Sequence, residues 1–344
     1  MKRSLLPLLS LAVIYLAVSS IILVPGPDGN GMDLSARVEA DGTLIMDYSV
    51  EGGAYERNVT AIALEVNRMH QGPIYVLIND NLEFPVRVSL HRLADHFNNE
   101  FSLLGSDLRA TVINTDGLPR VFSNYQATLI CGPGADLPDY VAFPAQQWLE
   151  RGGLWVGIGS GSVPFIYSTD NGERPNATMK LEFVAMDFDS GEGMSSSPMA
   201  EALALRYVAP DHPFLLNDLK TLGGTSIGYE FVRGERLATA GIVPLGRGSL
   251  LVLAGNMTAP PLASGEEVLA WDLERMLLLN VPWWSGNMRF ESDWTTGAGI
   301  TGSLELPLTG SDYVSCGLFS NSDAYHAVRV ERFAVASLPG GSTA

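Results

Sequence analysis

The chain has 344 residues, of which 46% are apolar and 17% charged, and it contains 36 glycines and 20 prolines. That composition excludes a disordered chain and a fibrous repeat, and the length predicts about two domains. The 21 lysines and arginines are outnumbered by 38 aspartates and glutamates, so the net charge is −17. Because no basic cluster offsets this negative field, nucleic acid is not expected as a partner.

An uncharged apolar segment opens the chain. Residues 5–24 contain no charged side chain, and as a helix they would extend about 30 Å, the thickness of a bilayer core. Lys2 and Arg3 precede the segment, which keeps the N-terminus in the cytoplasm under the positive-inside rule. The pattern predicts an N-terminal transmembrane helix that acts as an uncleaved signal anchor in the cell membrane, with the bulk of the chain extracytoplasmic. A cleaved signal peptide ending near Ala17–Ser19 is the alternative, although Ile21–Val24 extends the apolar run beyond that point.

Sequons and cysteines also bear on export. Three Asn-x-Ser/Thr sequons are consistent with it, and their asparagines, Asn58, Asn176 and Asn256, are predicted glycosylation sites. The only two cysteines are Cys131 and Cys316. Each lies in an apolar run typical of a strand, so two separate buried thiols are favoured over a single disulfide, which stays open as the alternative.

The first half of the chain changes its pattern at residue 72. Before it, runs 43–50 and 59–66 have the alternation of β strands. After it come short, wholly apolar runs, as expected of parallel strands buried on both faces. These predicted strands and the helices between them alternate as βαβ units: strands at 74–78, 110–113, 127–131 and 154–158, helices at 87–97 and 139–151.

Strand patterns continue to the end of the chain. Strands are predicted within 180–186, 242–245, 249–254 and 288–335, and a helix over 266–279. The fold class is therefore α/β, with a flavodoxin-like, doubly wound parallel sheet in residues 72–284. Residues 1–31 form the anchor and linker. The β-rich flanks, 32–71 and 285–344, are expected to pair as one small sandwich domain, with two separate β units as the alternative.

Four runs resemble segments of a known superfamily. Asn124–Gly134 is similar to the strand and Pro-Gly turn of class I glutamine-amidotransferase-like domains, and Trp148–Gly161 to their helix, Gly-Gly turn and elbow strand. Ala209–Phe214 resembles a His-Pro segment of the ThuA-like, trehalose-utilisation-type branch, and Gly246–Leu253 the Gly-x-Gly strand near the end of the domain. The resemblance covers roughly residues 72–284 and implies an amidotransferase-like fold.

Two departures from that superfamily bear on activity. The resemblance assigns the nucleophilic cysteine of true amidotransferases to the position of Ser160, and no His-x-Glu pair occurs anywhere in the chain. Cys131 lies one strand too early to replace the missing cysteine. Glutamine hydrolysis is therefore not expected, and the domain is interpreted as catalytically degenerate, since a fold can persist without its chemistry.

Candidate site residues follow from the rule that ligands of doubly wound sheets bind outside the carboxyl ends of the strands. Ser160 is the candidate nucleophile, and His212 is the base that would activate it if the protein is an enzyme. A tight turn at Ser160 and an Asp-His-Pro turn at His212 are the structural alternatives. The residues predicted to line a ligand pocket are Asp80, Asp116, Gly132, Gly159 and Gly161.

Neither a metal nor a nucleotide cofactor is expected. His91 and His96 are five residues apart and do not share a helix face, and no other cluster has metal-ligand spacing. No Walker loop occurs, and no Gly-x-Gly-x-x-Gly follows the first apolar strand. Trp283, Trp284 and Trp294 are predicted either to form a sugar-stacking surface or to pack in the core.

These observations support three hypotheses. The preferred one is a membrane-anchored extracytoplasmic protein whose degenerate domain acts in ligand binding, with a carbohydrate or small molecule as the ligand, or in cell-envelope architecture. The second is a serine-dependent hydrolase acting on a carbohydrate or ester, which requires Ser160 and His212 within hydrogen-bond distance. The third is an envelope partner-binding subunit, whose β flanks would expose a large apolar patch.

The leader is predicted to hold the full chain in the membrane. Protein from membranes should resist alkaline carbonate extraction, and N-terminal sequencing should begin at the start of the chain, because an uncleaved anchor is retained. A carbonate-soluble protein that begins near Ser20 or Ile21 would instead identify a cleaved signal peptide.

Overall fold

The structure is a computed structural model. It describes residues 21–24, 31–67, 72–103, 108–135, 137–167, 179–183, 191–196, 213–232, 234–255, 257, 264–309, 313–320 and 325–331. His212, Asn176 and Asn256 lie outside the described residues. The chain divides into two compact units, one of residues 1–68 with 284–344 and the other of residues 69–283.

The elements are numbered in chain order. The strands are β1 (Ile21–Val24), β2 (Met32–Val38), β3 (Thr43–Val50), β4 (Arg57–Val66), β5 (Ile74–Leu77), β6 (Ala110–Ile113), β7 (Thr128–Cys131), β8 (Leu154–Ile158), β9 (Ile166–Tyr167), β10 (Met179–Lys180), β11 (Gly191–Ser196), β12 (Phe214–Leu215), β13 (Thr225–Val232), β14 (Glu235–Leu245), β15 (Gly248–Leu253), β16 (Trp284–Thr295), β17 (Ile300–Pro307), β18 (Tyr313–Ser320) and β19 (Tyr325–Glu331). The α-helices are α1 (Phe84–Leu103), α2 (Leu118–Phe122), α3 (Ala142–Arg151), α4 (Leu216–Thr221) and α5 (Ser264–Leu278). Short 3₁₀ helices cover Thr115–Gly117, Asp139–Val141 and Val281–Trp283.

The first unit is a two-layer antiparallel sandwich. One sheet has the strand order β1-β19-β18-β4-β16, and the other β17-β3-β2. β4 pairs with β18 and β16 on its two sides, and β3 pairs with β17 and β2. Strands from the two ends of the chain therefore share both sheets, and neither flank forms a complete sheet alone.

The core of this sandwich follows from the two-residue period of its strands. In β3 alternate side chains are buried, and the same alternation is seen in the middle of β17. Their inward side chains meet those of β4 and β18 in one apolar cluster, which includes Leu44, Met46, Ala61, Leu304 and Leu318. Burial of these side chains stabilises the unit by roughly 1.5–3 kcal/mol for each large one.

A buried carboxylate lies at one end of the sandwich. Glu65 of β4 is fully buried, and its Oε1 accepts the backbone N–H of Thr309 at 2.7 Å. Its Oε2 accepts the Thr309 hydroxyl at 2.8 Å and the Asn287 amide at 3.2 Å. These bonds compensate the desolvation of the carboxylate and attach Thr309, the second residue after β17, to β4.

The apolar leader ends in a strand. Ile21–Val24 forms β1 and pairs antiparallel with β19, so the prediction of one helix over residues 5–24 is wrong for its last four residues. Three of those four residues are β-branched, which favours a strand. The predicted helix at residues 5–20 lies outside the described residues, and as a helix it would extend about 24 Å. Among the described helices, none is both long and apolar enough to cross a membrane.

The second unit contains a large mixed sheet with the strand order β11-β13-β14-β15-β8-β7-β5-β6. The strands β15, β8, β7, β5 and β6 are parallel, and β11, β13 and β14 extend the sheet antiparallel. Every residue of β5, β7 and β8 is buried, as their apolar sequences predicted. The expected mixed α/β fold, with a parallel sheet and β-rich parts, is confirmed.

Glycines end the helix that connects β7 to β8. The predicted helix over 139–151 is a 3₁₀ turn followed by α3, and Gly152 terminates it with a φ of +127°. A Cβ on Gly153 would lie 2.2 Å from the Trp148 ring, which no side chain tolerates. The pair therefore allows the chain to turn directly from α3 into β8.

The two cysteines are free, buried thiols, and they lie in different units. Cys316 belongs to the sandwich core, and Cys131 is the last residue of β7. Burial raises the pKa of Cys316 to about 12 and that of Cys131 well above its ordinary value, which leaves both as unreactive thiols at neutral pH.

Helices α1 and α5 pack through buried ionisable side chains. Nε2 of His96 on α1 lies 2.8 Å from Oε2 of Glu274 on α5, and Glu274 is fully buried. Beside it, Arg275 Nη1 lies 4.0 Å from Asp272 Oδ1. Burial raises the pKa of Glu274 to about 7, although the hydrogen bond from His96 opposes the shift.

Replacing Glu274 by glutamine should stabilise the protein in alkaline solution. A pKa raised from 4.5 to about 7 means that the stabilisation from this group is complete below about pH 4.5 and lost as the pH rises through about 7. Glu274→Gln should therefore raise the free energy of unfolding by up to about 3 kcal/mol at pH 8 and change it little near pH 4.5. Urea denaturation of wild type and Glu274→Gln at pH 4.5 and pH 8 measures the two free energies of unfolding.

Glu150→Gln provides the matched control, because it removes the same charge from an exposed position at the end of α3. It should change the stability little at either pH. Equal destabilisation by Glu274→Gln at pH 4.5 and pH 8 would contradict the buried-carboxylate account.

Candidate functional site

The strand order of the parallel sheet creates a crevice. β5 lies between β6 and β7, so the chain leaves β5 toward one edge of the sheet and leaves β7 toward the other. Right-handed crossovers then put α1 and α3 on opposite faces of the sheet. This reversal of the crossover direction separates the loops at the carboxyl ends of the two strands. The space between such loops is the usual ligand site of this architecture. We call the space between the loop 78–83 after β5 and the loop 132–135 after β7 the switch-point crevice.

Asn79 bridges the two loops of the switch-point crevice. Its Nδ2 donates to the Ala135 carbonyl at 2.5 Å, and its own carbonyl accepts the Leu82 N–H at 3.3 Å. The Asn79 side chain is buried, and its Oδ1 has no hydrogen-bond partner in the described part of the chain. An unpaired buried acceptor costs about 1–3 kcal/mol, so this oxygen is suited to a donor from outside the described structure.

Charged side chains occur in the segments that follow β5 and β6 at the same edge of the sheet. Asp80 is exposed directly after Asn79, and Asp116 is exposed in the 3₁₀ turn after β6, the next strand of the sheet. Arg87 lies in the first turn of α1, and its buried Nε has no hydrogen-bond partner among the described residues. These segments therefore carry both donors and acceptors. Within the described residues, no three His, Cys, Asp or Glu side chains are grouped to hold a metal ion.

Three exposed aromatic side chains stand at the helix ends beside the crevice. Phe84 is the first residue of α1, Tyr140 lies in the 3₁₀ turn before α3, and Phe143 is in the first turn of α3. Their relative exposures are 70%, 72% and 66%. Because α1 and α3 lie on opposite faces of the sheet, the helix ends that carry these rings lie on both sides of the sheet at its carboxyl edge. They were missed in the sequence, because a single aromatic residue has no periodic pattern that would show it to be exposed.

The predicted pocket glycines have mostly structural surroundings. A Cβ on Gly132 would lie 3.0 Å from Leu90 of α1, and one on Gly159 would lie 2.0 Å from the Gly255 carbonyl oxygen. Gly159 has a φ of +69°, Gly161 has a φ of +78°, and both are buried. These positions allow the loops after β7, β8 and β15 to approach backbone to backbone, so the edge beside the crevice is closed.

Ser160 lies in a closed turn after β8. Its carbonyl accepts the Gly134 N–H at 2.8 Å, and the neighbouring Ser162 hydroxyl donates to the Gly159 carbonyl at 2.7 Å. Among described residues other than glycine, positive φ angles occur at Met257 and Asn280, so Ser160 lacks the strained backbone of a nucleophile elbow.

The turn at Ser160 does not lead into a helix. The chain continues from it through a second turn into β9. Ser160 therefore lacks the first N–H groups of a helix, which would bind an oxyanion. Its predicted partner, His212, lies outside the described residues.

The three tryptophans do not form one surface. Trp283 is buried in the second unit, whereas Trp284 and Trp294 belong to the first. Trp284 is partly buried, and its Nε1 donates to the Asn287 carbonyl at 3.4 Å. Only Trp294 of the three is largely exposed. The core-packing alternative therefore describes Trp283, and Trp294 needs a separate explanation.

Comparisons with known proteins give only distant similarities. No protein-family model and no curated protein matches the chain. Among solved structures, a ThuA-like protein from Bacteroides uniformis aligns at 9% identity and a TM-score of 0.43, over 62% of this chain and 93% of that protein. A beta-galactosidase from Bacillus circulans sp. alkalophilus aligns at 8% identity and a TM-score of 0.35, over 76% of this chain and 42% of the galactosidase. Neither similarity assigns a family, an activity or a ligand to this chain.

Proposed function

We propose that the chain is a membrane-anchored extracytoplasmic binding protein. Its second unit would be a catalytically degenerate, amidotransferase-like domain that binds a carbohydrate at the switch-point crevice. The observation that carries this proposal is the set of three exposed aromatic rings, Phe84, Tyr140 and Phe143, around loops bridged by Asn79.

The chemistry of the crevice favours a sugar over other small molecules. Exposed rings stack on the apolar faces of pyranose rings, and apolar surface kept exposed in this way marks a binding site. Sugar hydroxyls both donate and accept, which matches the carboxylate of Asp80 and two atoms that lack a hydrogen-bond partner among the described residues, Oδ1 of Asn79 and Nε of Arg87. A polyanionic ligand is disfavoured by the net charge of −17.

The surroundings of Ser160 support binding without catalysis. A serine hydroxyl is a weak nucleophile unless a base activates it. The sequence lacks the superfamily's cysteine and His-x-Glu pair, and the turn lacks both a strained nucleophile and a following helix. The extracytoplasmic location is supported by the charge-free leader behind Lys2 and Arg3.

Removing an aromatic ring of the crevice should weaken sugar binding. We expect a ligand from a panel of mono- and oligosaccharides to raise the melting temperature of the full chain. Phe143→Ala or Tyr140→Ala should weaken its affinity about tenfold or more in calorimetric titration, because a ring buried on the sugar contributes at least about 1.5 kcal/mol. Both side chains are exposed in the free protein, so stability should not change.

Tyr125→Ala is the matched control. Tyr125 is also exposed, but it precedes β7 and so lies at the opposite, amino edge of the sheet. Its replacement should leave the affinity unchanged. An equal loss of sugar affinity in Phe143→Ala, Tyr140→Ala and Tyr125→Ala would refute a carbohydrate site at the crevice. The absence of stabilisation by any sugar would refute it as well.

Replacing Ser160 by alanine should change no reaction rate. Wild type and Ser160→Ala should hydrolyse p-nitrophenyl esters and glycosides equally slowly, and fluorophosphonates should not label the protein, because the turn after β8 has neither the strained serine backbone nor the following helix of a nucleophile elbow. Ser160→Ala should also bind the crevice ligand as wild type does. Hydrolysis that disappears in Ser160→Ala would instead establish the serine-hydrolase hypothesis.

A further inference from the structure

One edge of the sandwich brings a sequon next to an exposed indole. In the antiparallel pair of β4 and β16, Asn58 is directly opposite Trp294. Trp294 has a relative exposure of 57%, and Asn58 is partly exposed. Residues directly opposite in an antiparallel pair point to the same face with their Cβ atoms about 4.5–5.5 Å apart. A group attached to the Asn58 amide is therefore within reach of the Trp294 ring.

Ser292 of β16 forms hydrogen bonds to the sequon across the strand pair. The hydroxyl of Ser292 donates to Asn58 Oδ1 at 2.9 Å and lies 3.2 Å from the hydroxyl of Thr60. Asn58 and Thr60 are the first and third residues of the sequon, and the extended strand places both on the face that carries Trp294.

We infer that Asn58 carries an N-linked glycan and that its first sugar packs on the indole of Trp294. The inference rests on the proposed extracytoplasmic location, because the donor for this modification, a lipid-linked oligosaccharide phosphate, is used outside the cytoplasm. The Asn58 sequon is also the one whose asparagine lies within the described residues, whereas Asn176 and Asn256 lie outside them.

The modification keeps the hydrogen bond that Asn58 Oδ1 accepts from Ser292. A bond forms between Asn58 Nδ2 and C1 of the sugar, while the C1–O bond to the phosphate of the lipid donor breaks. The phosphate leaves with the bonding electrons, and Nδ2 gives up one proton to a base of the transferring enzyme. Oδ1 is unchanged, so it still accepts the Ser292 hydroxyl.

The position of the glycan gives it a structural role. β16 is the last strand of its sheet, and residues 289–294 are all exposed. An open edge strand that carries Phe290 and Trp294 on one face can pair with another chain and aggregate. A sugar stacked on Trp294 covers this edge and buries the exposed ring.

The first test is site occupancy in the full chain. The protein is expressed with its own leader in a eukaryotic secretory host and digested with an endoproteinase that cleaves after glutamate, which releases residues 57–65 with Asn58 inside the peptide. Mass spectrometry should find this peptide glycosylated, and Asn58→Gln should remove that glycan.

Glycosylation at Asn176 and Asn256, together with the location of the chain, shows whether the inference about Asn58 or the proposed export is wrong. A glycan at Asn176 or Asn256 with an unmodified Asn58 overturns the inference and leaves the proposed location standing. An exported chain without any glycan overturns the inference alone. A cytoplasmic chain without any glycan overturns the location and the inference together.

The second test is the contact with Trp294. Enzymatic removal of the glycan from the folded protein should lower the melting temperature of the sandwich by about 2–4 °C, and Trp294→Ala should abolish this difference. Tyr55→Ala is the control, because Tyr55 is an exposed aromatic three residues before Asn58 that lies outside the strand pair. Tyr55→Ala should keep the difference in melting temperature between the glycosylated and the deglycosylated protein. If this difference in melting temperature persists in Trp294→Ala, or is lost in Tyr55→Ala, the inference that the glycan packs on Trp294 is overturned.

Discussion

The position of β5 between β6 and β7 is the constraint on which the candidate site depends. Parallel strands need long crossovers, and right-handed crossovers from β5 and β7 run to opposite faces of the sheet. The two loops that follow these strands therefore separate at their carboxyl ends. The Asn79 amide spans the gap, and the first turns of α1 and α3 border it. No special residue is needed to open this crevice, since the strand order alone produces it.

The neighbouring part of the same edge is closed by backbone contacts. Gly159 donates its N–H to the Leu253 carbonyl at 2.7 Å, and its missing side chain allows the Gly255 carbonyl to approach. Gly159, which looks like a binding-loop residue in the sequence, therefore has surroundings made by the chain itself. Near this edge, buried atoms that lack a hydrogen-bond partner among the described residues occur instead after β5, at Asn79 and Arg87.

The parallel strands could be predicted from the sequence because burial on both faces leaves a continuous apolar run. The observed β5, β6, β7 and β8 agree with the predicted runs to within one residue at either end. The exposed rings of Phe84, Tyr140 and Phe143 could not be predicted, because exposure depends on which helix face meets the sheet and a single aromatic residue has no period. The end of the leader was misassigned for a related reason. Four apolar residues fit a membrane helix and a strand equally well, and the pairing of β1 with β19 selects the strand.

The distribution of backbone strain also favours binding over catalysis at this edge of the sheet. In a nucleophile elbow, the nucleophilic residue has a side chain and yet adopts a strained backbone conformation. Such strain persists only where function requires it. Here the positive φ angles after β7 and β8 occur at Gly134, Gly159 and Gly161, which adopt them at little cost. The left-handed Asn280 just past α5 is likewise an ordinary helix end, with its N–H bonded to the Leu277 carbonyl. What the edge does retain at a cost is exposed aromatic surface and a buried oxygen, Asn79 Oδ1, that has no hydrogen-bond partner in the part of the chain that the structure describes. Both costs are removed when a ligand covers them, whereas neither would assist a nucleophile at Ser160.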